Sequence, residues 1–351
     1  MNSAADGASL TGLFPRLRIG RRWLNLIWVL PVVAIAFGVL IVLAIWLRTL
    51  TPVQNFIADN PGSVANNAPS GFPWWLRWQH LLNAIFLVPI ARAGLQLLAV
   101  RPRLYWTTRA TPGRDWLRIQ RAMPESGGWS PRHDAVGLHP LVGLPGKRLS
   151  GGLARWWHLG VAMLWVVNGI VFYVLLFATG QWMRIVPTSV DVFPAALSAA
   201  IQYASLDFPT QNSWIAYNGL QLLTYFVTVF VAAPLAVVTG VMHSPSIAKR
   251  LQNSRLFNVE VVRSVHVLVL AYFVVFTIAH VTLVLITSAL QNLNHITLGT
   301  QDSGWAGLVL FLIAVVIGAV LWVLSSPATL KFPTAVQKIG AVLLGPFSRW
   351  L

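Results

Sequence analysis

The sequence predicts an all-α membrane protein with six transmembrane helices. Three observations carry the prediction. The first is composition: of 351 residues, 56% are hydrophobic and only 10% charged, against roughly 25% charged in a soluble domain, and the mean hydropathy is +0.67. The second is six apolar stretches long enough to cross a bilayer, which takes about 20 residues. The third is an alternation of basic and nearly bare connections between those stretches.

In chain order, the spans fall near Trp23–Trp46, Trp74–Val100, Trp156–Phe177, Trp214–Met242, Val261–Thr287 and Gly304–Leu324. Tryptophan marks many of the ends, among them Trp23, Trp46, Trp74, Trp156, Trp214, Trp305 and Trp322, as expected for rings anchored at the membrane–water interface. Pro31, Pro89 and Pro234 lie inside spans and are expected to kink them. The first span is too long for a signal-peptide core and has no small-residue cleavage site after it, so it reads as a helix of the mature protein. PAALSAAIQYA, between the third and fourth spans, reads as a short interfacial helix.

The basic residues set the orientation. Arg16, Arg18, Arg21 and Arg22 precede the first span, and nine Arg and Lys residues from Arg101 to Arg148 fill the second connection. Lys249, Arg250 and Arg255 lie in the fourth connection, and Lys331, Lys338 and Arg349 in the C-terminal tail. The other connections hold only Arg48, Arg77 and Arg184. Positive residues favour the cytoplasmic side, so both termini are expected in the cytoplasm of a bacterial inner-membrane protein. The net charge of +16 is thus a topology signal, and no nucleic-acid partner is expected. The division is a tail 1–22, an additional helix 23–48, a core 74–289 with a basic cytoplasmic loop 101–150, a helix 304–325 and a tail 326–351. The basic loop is either a partner-docking surface or a layer on anionic lipid headgroups.

Cysteine is absent. That excludes disulfides, cysteine-ligated iron–sulfur clusters and haem attached through CxxCH. A metal or haem would need histidine or another non-thiol ligand.

Four of eight histidines lie in or at the ends of spans: His80, His158, His266 and His280. His266 and His280 share the fifth span, fourteen residues apart. That spacing is ~21 Å of rise and only ~40° of azimuth, so one helix face presents two imidazoles at two depths. The topology puts His158 level with His266 on the inner side and His80 level with His280 on the outer side. Two bis-histidine b-type haems stacked across the membrane fit this arrangement. Structural interhelical histidines are the plain alternative. Zinc fits less well, because a helix offering two ligands ~21 Å apart cannot give both to one ion.

Three of the four have an arginine three residues earlier: Arg77 before His80, Arg155 before His158 and Arg263 before His266. At that spacing the pair shares a helix face, with the arginine nearer the surface, where haem propionates would lie. Arg155 and Arg263 sit where any inner helix end carries arginine. Arg77 sits on the side that otherwise avoids positive charge, and a propionate partner would explain it.

The segments RWQHLLNAIFLVPIARAGLQLLAVRPRLYW, RWWHLGVAMLWVVNGIVFY, PLAVVTGVMHSPSIAKR and VVRSVHVLVLAYFVVFTIAHVTLVL, together with NLNHITLG, resemble the di-haem cytochrome b membrane subunits. That family is related to formate dehydrogenase gamma, the b-type subunit of nickel–iron hydrogenase and bacterial cytochrome b561; the nearest branch is the thiosulfate-reductase-like one. The resemblance implies a four-helix haem-binding core, here the second to fifth spans, with two haem b on the four histidines. It also implies a quinone (ubiquinone or menaquinone) at one end and a soluble oxidoreductase subunit, often molybdenum-containing, at the other. One departure is the extra N-terminal span, which starts the first ligand-bearing helix outside, where the formate dehydrogenase relative starts it in the cytoplasm.

The expected function is therefore electron transfer between the quinone pool and a partner oxidoreductase subunit. A stand-alone b561-like quinone reductase or superoxide oxidase is one alternative. A proton-coupled transporter with histidine relays is another, although such proteins usually carry internal repeats, and none is visible here. His243, at the inner end of the fourth span, is the candidate quinone or proton site, set against an ordinary interfacial histidine. His133, His139 and His295 read as solvated loop residues. Asn168 and Asn218 read as polar groups inside spans, available to a cofactor or to another helix.

Overall fold

Apolar character sustained over whole turns makes helices here, and loss of that character ends them. The computed structural model describes residues 15–63, 68–107, 113–119, 135, 136, 150–208, 212–244, 247, 250 and 258–326. In chain order the elements are β1 (Arg16–Ile19), β2 (Arg22–Asn25), α1 (Val29–Leu47), α2 (Thr51–Asp59), α3 (Trp74–Val100), β3 (Arg103–Tyr105), β4 (Asp115–Arg118) and α4 (Ser150–Ala178). Then follow α5 (Val192–Ala204), α6 (Gly219–Phe226), a π-helical stretch (Val227–Ala232), α7 (Ala233–His243), α8 (Val259–Thr297) and α9 (Ala306–Leu324). Among the described residues six helices are long and apolar enough to cross a membrane: Leu26–Leu47, Trp74–Val100, Gly152–Ala178, Gly219–His243, Val259–Thr297 and Ala306–Leu324. The chain is an all-α, multi-pass membrane protein. PAALSAAIQYA forms α5.

The prolines resolve differently. Pro31 does not kink α1, because the helix starts at Val29 and not near Trp23. Pro31 therefore lies in the first turn, where no intrahelical donor is missing. Pro89 is buried inside α3. Pro234 follows the π-helical stretch within the fourth span. A proline ring crowds the carbonyl one turn back, and the wider π turns make room. Tyr173 on α4 donates its hydroxyl proton to the Val229 carbonyl inside that stretch, satisfying an acceptor that hydrocarbon cannot.

The fifth span also differs from expectation. It was expected to end at Thr287. The chain leaves helical geometry at Ser288 (φ −148°, ψ 65°) and then resumes a helix to Thr297. Asn292 Nδ2 bridges the break, donating to the Val284 carbonyl at 3.3 Å and to Thr287 Oγ1 at 3.1 Å.

The two ends of the bundle are built differently. At one end, β1 and β2 form a hairpin that joins β4 and β3 in a four-stranded antiparallel sheet of order β2-β1-β4-β3. The sheet fixes the N-terminal segment and the α3–α4 connection on one side, as the charge alternation requires. Buried Asp115 sits among arginines, 3.2 Å from Arg103 Nη1. Arg118 stacks 3.8 Å over the Trp23 ring, and burial, more than its charged neighbours, lowers the proton affinity of its guanidinium. The strands here were not expected, because the basic loop shows little periodicity. Most of that loop, with its arginines Arg109, Arg121 and Arg132, His133 and His139, and the C-terminal tail lie outside the described residues.

At the opposite end the loops hold one another. Arg184 donates to the carbonyls of Gly71 (2.6 Å), Ser213 (2.9 Å) and Trp214 (2.7 Å). Arg48, closing α1, pairs with Asp207 and donates to Ser205 Oγ at 3.2 Å. Asn218 caps the N-terminus of α6 in a reciprocal capping box with Gln221, so it precedes the helix and does not sit within a span. Gly219 admits the close crossing of α5, since a Cβ there would stand 2.6 Å from Ala196 N and 2.7 Å from the Val192 carbonyl.

Within the membrane, α3 packs along α4, α8 along α7 and α9, and α9 along α3. α1 stands apart: Ala44 is its only buried residue, and it meets the bundle through α5. Its exposed apolar side chains suit a lipid solvent.

Candidate functional site

The four span histidines meet in two pairs at two levels. On the sheet side, His158 from α4 faces His266 from α8 with ring centres 6.0 Å apart. Toward the other side, His80 from α3 faces His280 from α8 at 6.1 Å. These are the pairs expected from depth and azimuth. The two levels are separated by the ~21 Å rise of fourteen helical residues.

Those separations can be compared with what a shared metal needs. An imidazole nitrogen holds a first-row metal at ~2.0–2.1 Å with the ring centre ~1.1 Å behind it, so two imidazoles on opposite sides of one ion stand ~6.2 Å apart. Plain edge-to-face ring contact also allows ~4.5–7 Å. The hydrogen bonds therefore add a separate constraint.

On the sheet side they fix both tautomers. His158 Nδ1 lies 3.1 Å from the Ile90 carbonyl, which can only accept, so Nδ1 carries the proton. His266 Nδ1 lies 2.8 Å from Thr239 Oγ1. That hydroxyl already gives its proton to the Leu235 carbonyl at 2.6 Å, so it accepts from His266. Both Nε2 atoms are left as lone-pair donors, the arrangement by which protein partners orient ligating imidazoles. Thr239 was missed in the sequence, where its only signal is adjacency to Gly240.

Small residues make room beside these rings. A Cβ on Gly94 would stand 3.6 Å from His158 Cε1, and one on Gly240 would stand 3.5 Å from His266 Cε1. At the other level aromatic packing takes over: Phe276 stacks on His280 at 5.5 Å and 7°, and Tyr225 meets it edge-on at 6.0 Å. The His80 side chain is exposed and that of His280 is half-buried. Among the described residues no group of three or more His, Asp or Glu gathers as a closed metal site would. Each pair offers two donors, which suits a macrocycle that brings its own equatorial nitrogens.

The arginines are placed in three ways. Arg77 Nη1 donates to the Thr297 carbonyl at 3.0 Å, while its Nε is buried without a partner. Arg155 is exposed. Arg263 donates to the carbonyls of Arg103 (2.9 Å) and Arg101 and lies 3.6 Å from Glu260, tying α8 to the strand that follows α3. His243 ends α7 with an exposed side chain, close enough to Arg263, Arg101, Glu260 and Arg155 to feel their charges. Asn168 on α4 donates to Asn83 Oδ1 on α3 at 3.2 Å, a bond between helices.

His295 departs most from expectation. It was read as a solvated loop residue. It is 2% exposed, because the resumed helix of α8 carries it inward. It lies 3.1 Å from Ser213 Oγ through Nδ1 and packs on Phe72 and Trp214, with Nε2 buried and unpartnered.

Comparison with protein-family models, curated proteins and solved structures found no match to this chain.

Proposed function

We propose that the chain is a membrane di-haem b cytochrome that passes electrons between the quinone pool and a partner oxidoreductase subunit of a bacterial inner membrane, with the sheet side and both termini in the cytoplasm. The observation that supports this reading best is the duplicated imidazole pair, at 6.0 and 6.1 Å, with both sheet-side Nε2 atoms left unprotonated by the bonds that Nδ1 makes. His158 with His266 and His80 with His280 would each hold one haem, which would supply reversible one-electron chemistry.

The chain's own residues hold and orient. Ile90 and Thr239 fix the sheet-side tautomers, and Gly94 and Gly240 let α3 and α7 lie against the two imidazoles. Phe276 and Tyr225 exclude water at the other level. Arg77, with its buried unpartnered Nε, and Arg155, exposed near its membrane surface, are the propionate partners of the two levels. Arg263 serves the same sheet-side level while anchoring the α3–β3 connection. His243 is the sheet-side group able to exchange a proton with a quinone.

The test is purification in mild detergent from native membranes, with pyridine haemochrome quantitation and identification of associated chains. Two b haems per chain and a co-purifying oxidoreductase subunit are expected. A colourless chain made with haem available sinks the proposal. A red chain with no partner shifts it to the stand-alone quinone reductase.

A further inference from the structure

One ionised side chain inside the bundle takes no part in the histidine pairs or in the ion pairs at either end. Arg92 lies on α3, within a membrane span, and is 0% exposed. Its Nη1 donates to Gln96 Oε1 one turn on, while Nε and Nη2 are buried without partners. Among the described residues, the arginines within reach of a carboxylate are Arg48, Arg101, Arg103, Arg118 and Arg263. Arg92 is not among them. A buried charge without a counter-ion is costly, and ionisable side chains inside a bilayer are usually functional.

Its position suggests the function. The sheet-side imidazole of His158 rests on α3 at two points: the Ile90 carbonyl, 3.1 Å from Nδ1, and Gly94, whose Cβ would lie 3.6 Å from Cε1. Arg92 is two residues from each. At ~100° per residue it points ~160° away from Gly94, with the ~10 Å thickness of the helix between its charge and the ring. Val88, one turn earlier on the face of Arg92, meets α9, where a Cβ on Gly318 would lie 3.7 Å from it. Arg92 thus faces the last span, away from the histidine pair. What reaches the pair is its field, which apolar surroundings screen poorly.

We infer that Arg92 is a fixed positive charge that raises the reduction potential of the sheet-side haem. The inference rests on the di-haem reading. Reduction adds an electron at that level, and a nearby uncompensated cation favours the reduced state. Gln96 holds the guanidinium without neutralising it.

The test is a redox titration followed by absorbance on the purified chain, with the sheet-side wave identified as the one lost in His266→Ala. In Arg92→Gln the sheet-side midpoint falls and the other stays. Arg92→Lys keeps the wild-type midpoint. Gln96→Glu, which retains Arg92 but sets a carboxylate against it, also lowers the sheet-side midpoint and covers the case in which Arg92→Gln does not fold. A sheet-side midpoint that is unmoved in Gln96→Glu, an equal shift of both waves, or Arg92→Lys behaving like Arg92→Gln overturns the inference. A wild-type chain without haem overturns the di-haem reading itself and is seen before any variant is made.

Discussion

His266 Nδ1 lies 2.8 Å from Thr239 Oγ1, and that hydroxyl is committed to the Leu235 carbonyl at 2.6 Å. One buried hydroxyl therefore decides which nitrogen of His266 stays unprotonated. Thr239→Val removes the acceptor and keeps the shape. Partners of this kind are typically worth 10–100-fold in metal affinity. The expected result is loss of haem from the sheet-side level on dilution or competition with apomyoglobin, with the other level retained. Thr239→Ser restores retention. Equal retention in valine and wild type would show that the hydroxyl does not orient a ligand.

The pairing itself gives a second prediction. His158→Ala and His266→Ala should remove the same component of the reduced-minus-oxidised spectrum, because their rings face each other at 6.0 Å. His80→Ala and His280→Ala should remove the other. Each substitution should cost one haem of two by pyridine haemochrome. A substitution set that sorts by helix and not by level would refute the pairs.

Both pairs were legible in the sequence because helix periodicity is rigid: fourteen residues fix rise and azimuth without knowledge of neighbours. The charge alternation fixed which histidine shares each level for a similar reason, since it depends only on counting. What was not legible depends on contacts between distant segments. β1 and β4 pair across the whole of the first two spans, and nothing in RLRI announces that partner. His295 looked like a loop residue because hydropathy ends near Thr287, whereas the helix resumes after Ser288 and packs through polar and aromatic groups. Thr239 signals itself only by standing beside Gly240, and Arg92 only as a charge inside an apolar span; the neighbour that gives each a role is known from the structure alone.

Gly94 supplies a steric prediction. A methyl group there would lie 3.6 Å from His158 Cε1 and from Leu270 Cδ2, which is ordinary contact. Gly94→Ala should therefore keep both spectral components and, by helix propensity, cost nothing. Gly94→Leu must push its branch into the ring of His158, and overpacking of this kind costs about 1–3 kcal/mol. The expected outcome is selective loss of the sheet-side component in the leucine variant alone, read by haem content per chain.

Asp302 sets a pH dependence outside the membrane. Its carboxylate is held below the ordinary value by hydrogen bonds, first from the Thr300 side chain and then from Gly304 N. Asn294 Nδ2 also donates to it, at 2.6 Å. A folded-state proton affinity that is lowered contributes stability above the ordinary carboxylate pKa of ~3.9 and loses it as pH falls below that value. The turn between α8 and α9 should therefore become more open to protease as pH falls through the low end of the carboxylate range, and not between pH 6 and 8. Asp302→Asn should flatten that dependence. An unchanged acid profile in the asparagine variant would mean another group controls the turn.

Arg184 makes the strongest stability prediction. It is 1% exposed and donates to three carbonyls from the loops on either side of it, Gly71, Ser213 and Trp214. It also stacks at 4.9 Å over Phe72 and 5.2 Å over Tyr217. Burial lowers its proton affinity, yet an arginine stays charged at neutral pH, so these are charge-assisted bonds worth roughly 1.5–3 kcal/mol each. Arg184→Met keeps the packed stem and strands three acceptors. A loss of at least ~3 kcal/mol is expected, seen as a clear fall in Tm by scanning fluorimetry. Arg184→Lys reaches fewer carbonyls with a single ammonium and should fall between. The sheet-side haem signal should be unmoved in both, because Arg184 sits at the other end of the bundle; a variant that lost that signal first would show that the two ends are coupled and not independently built.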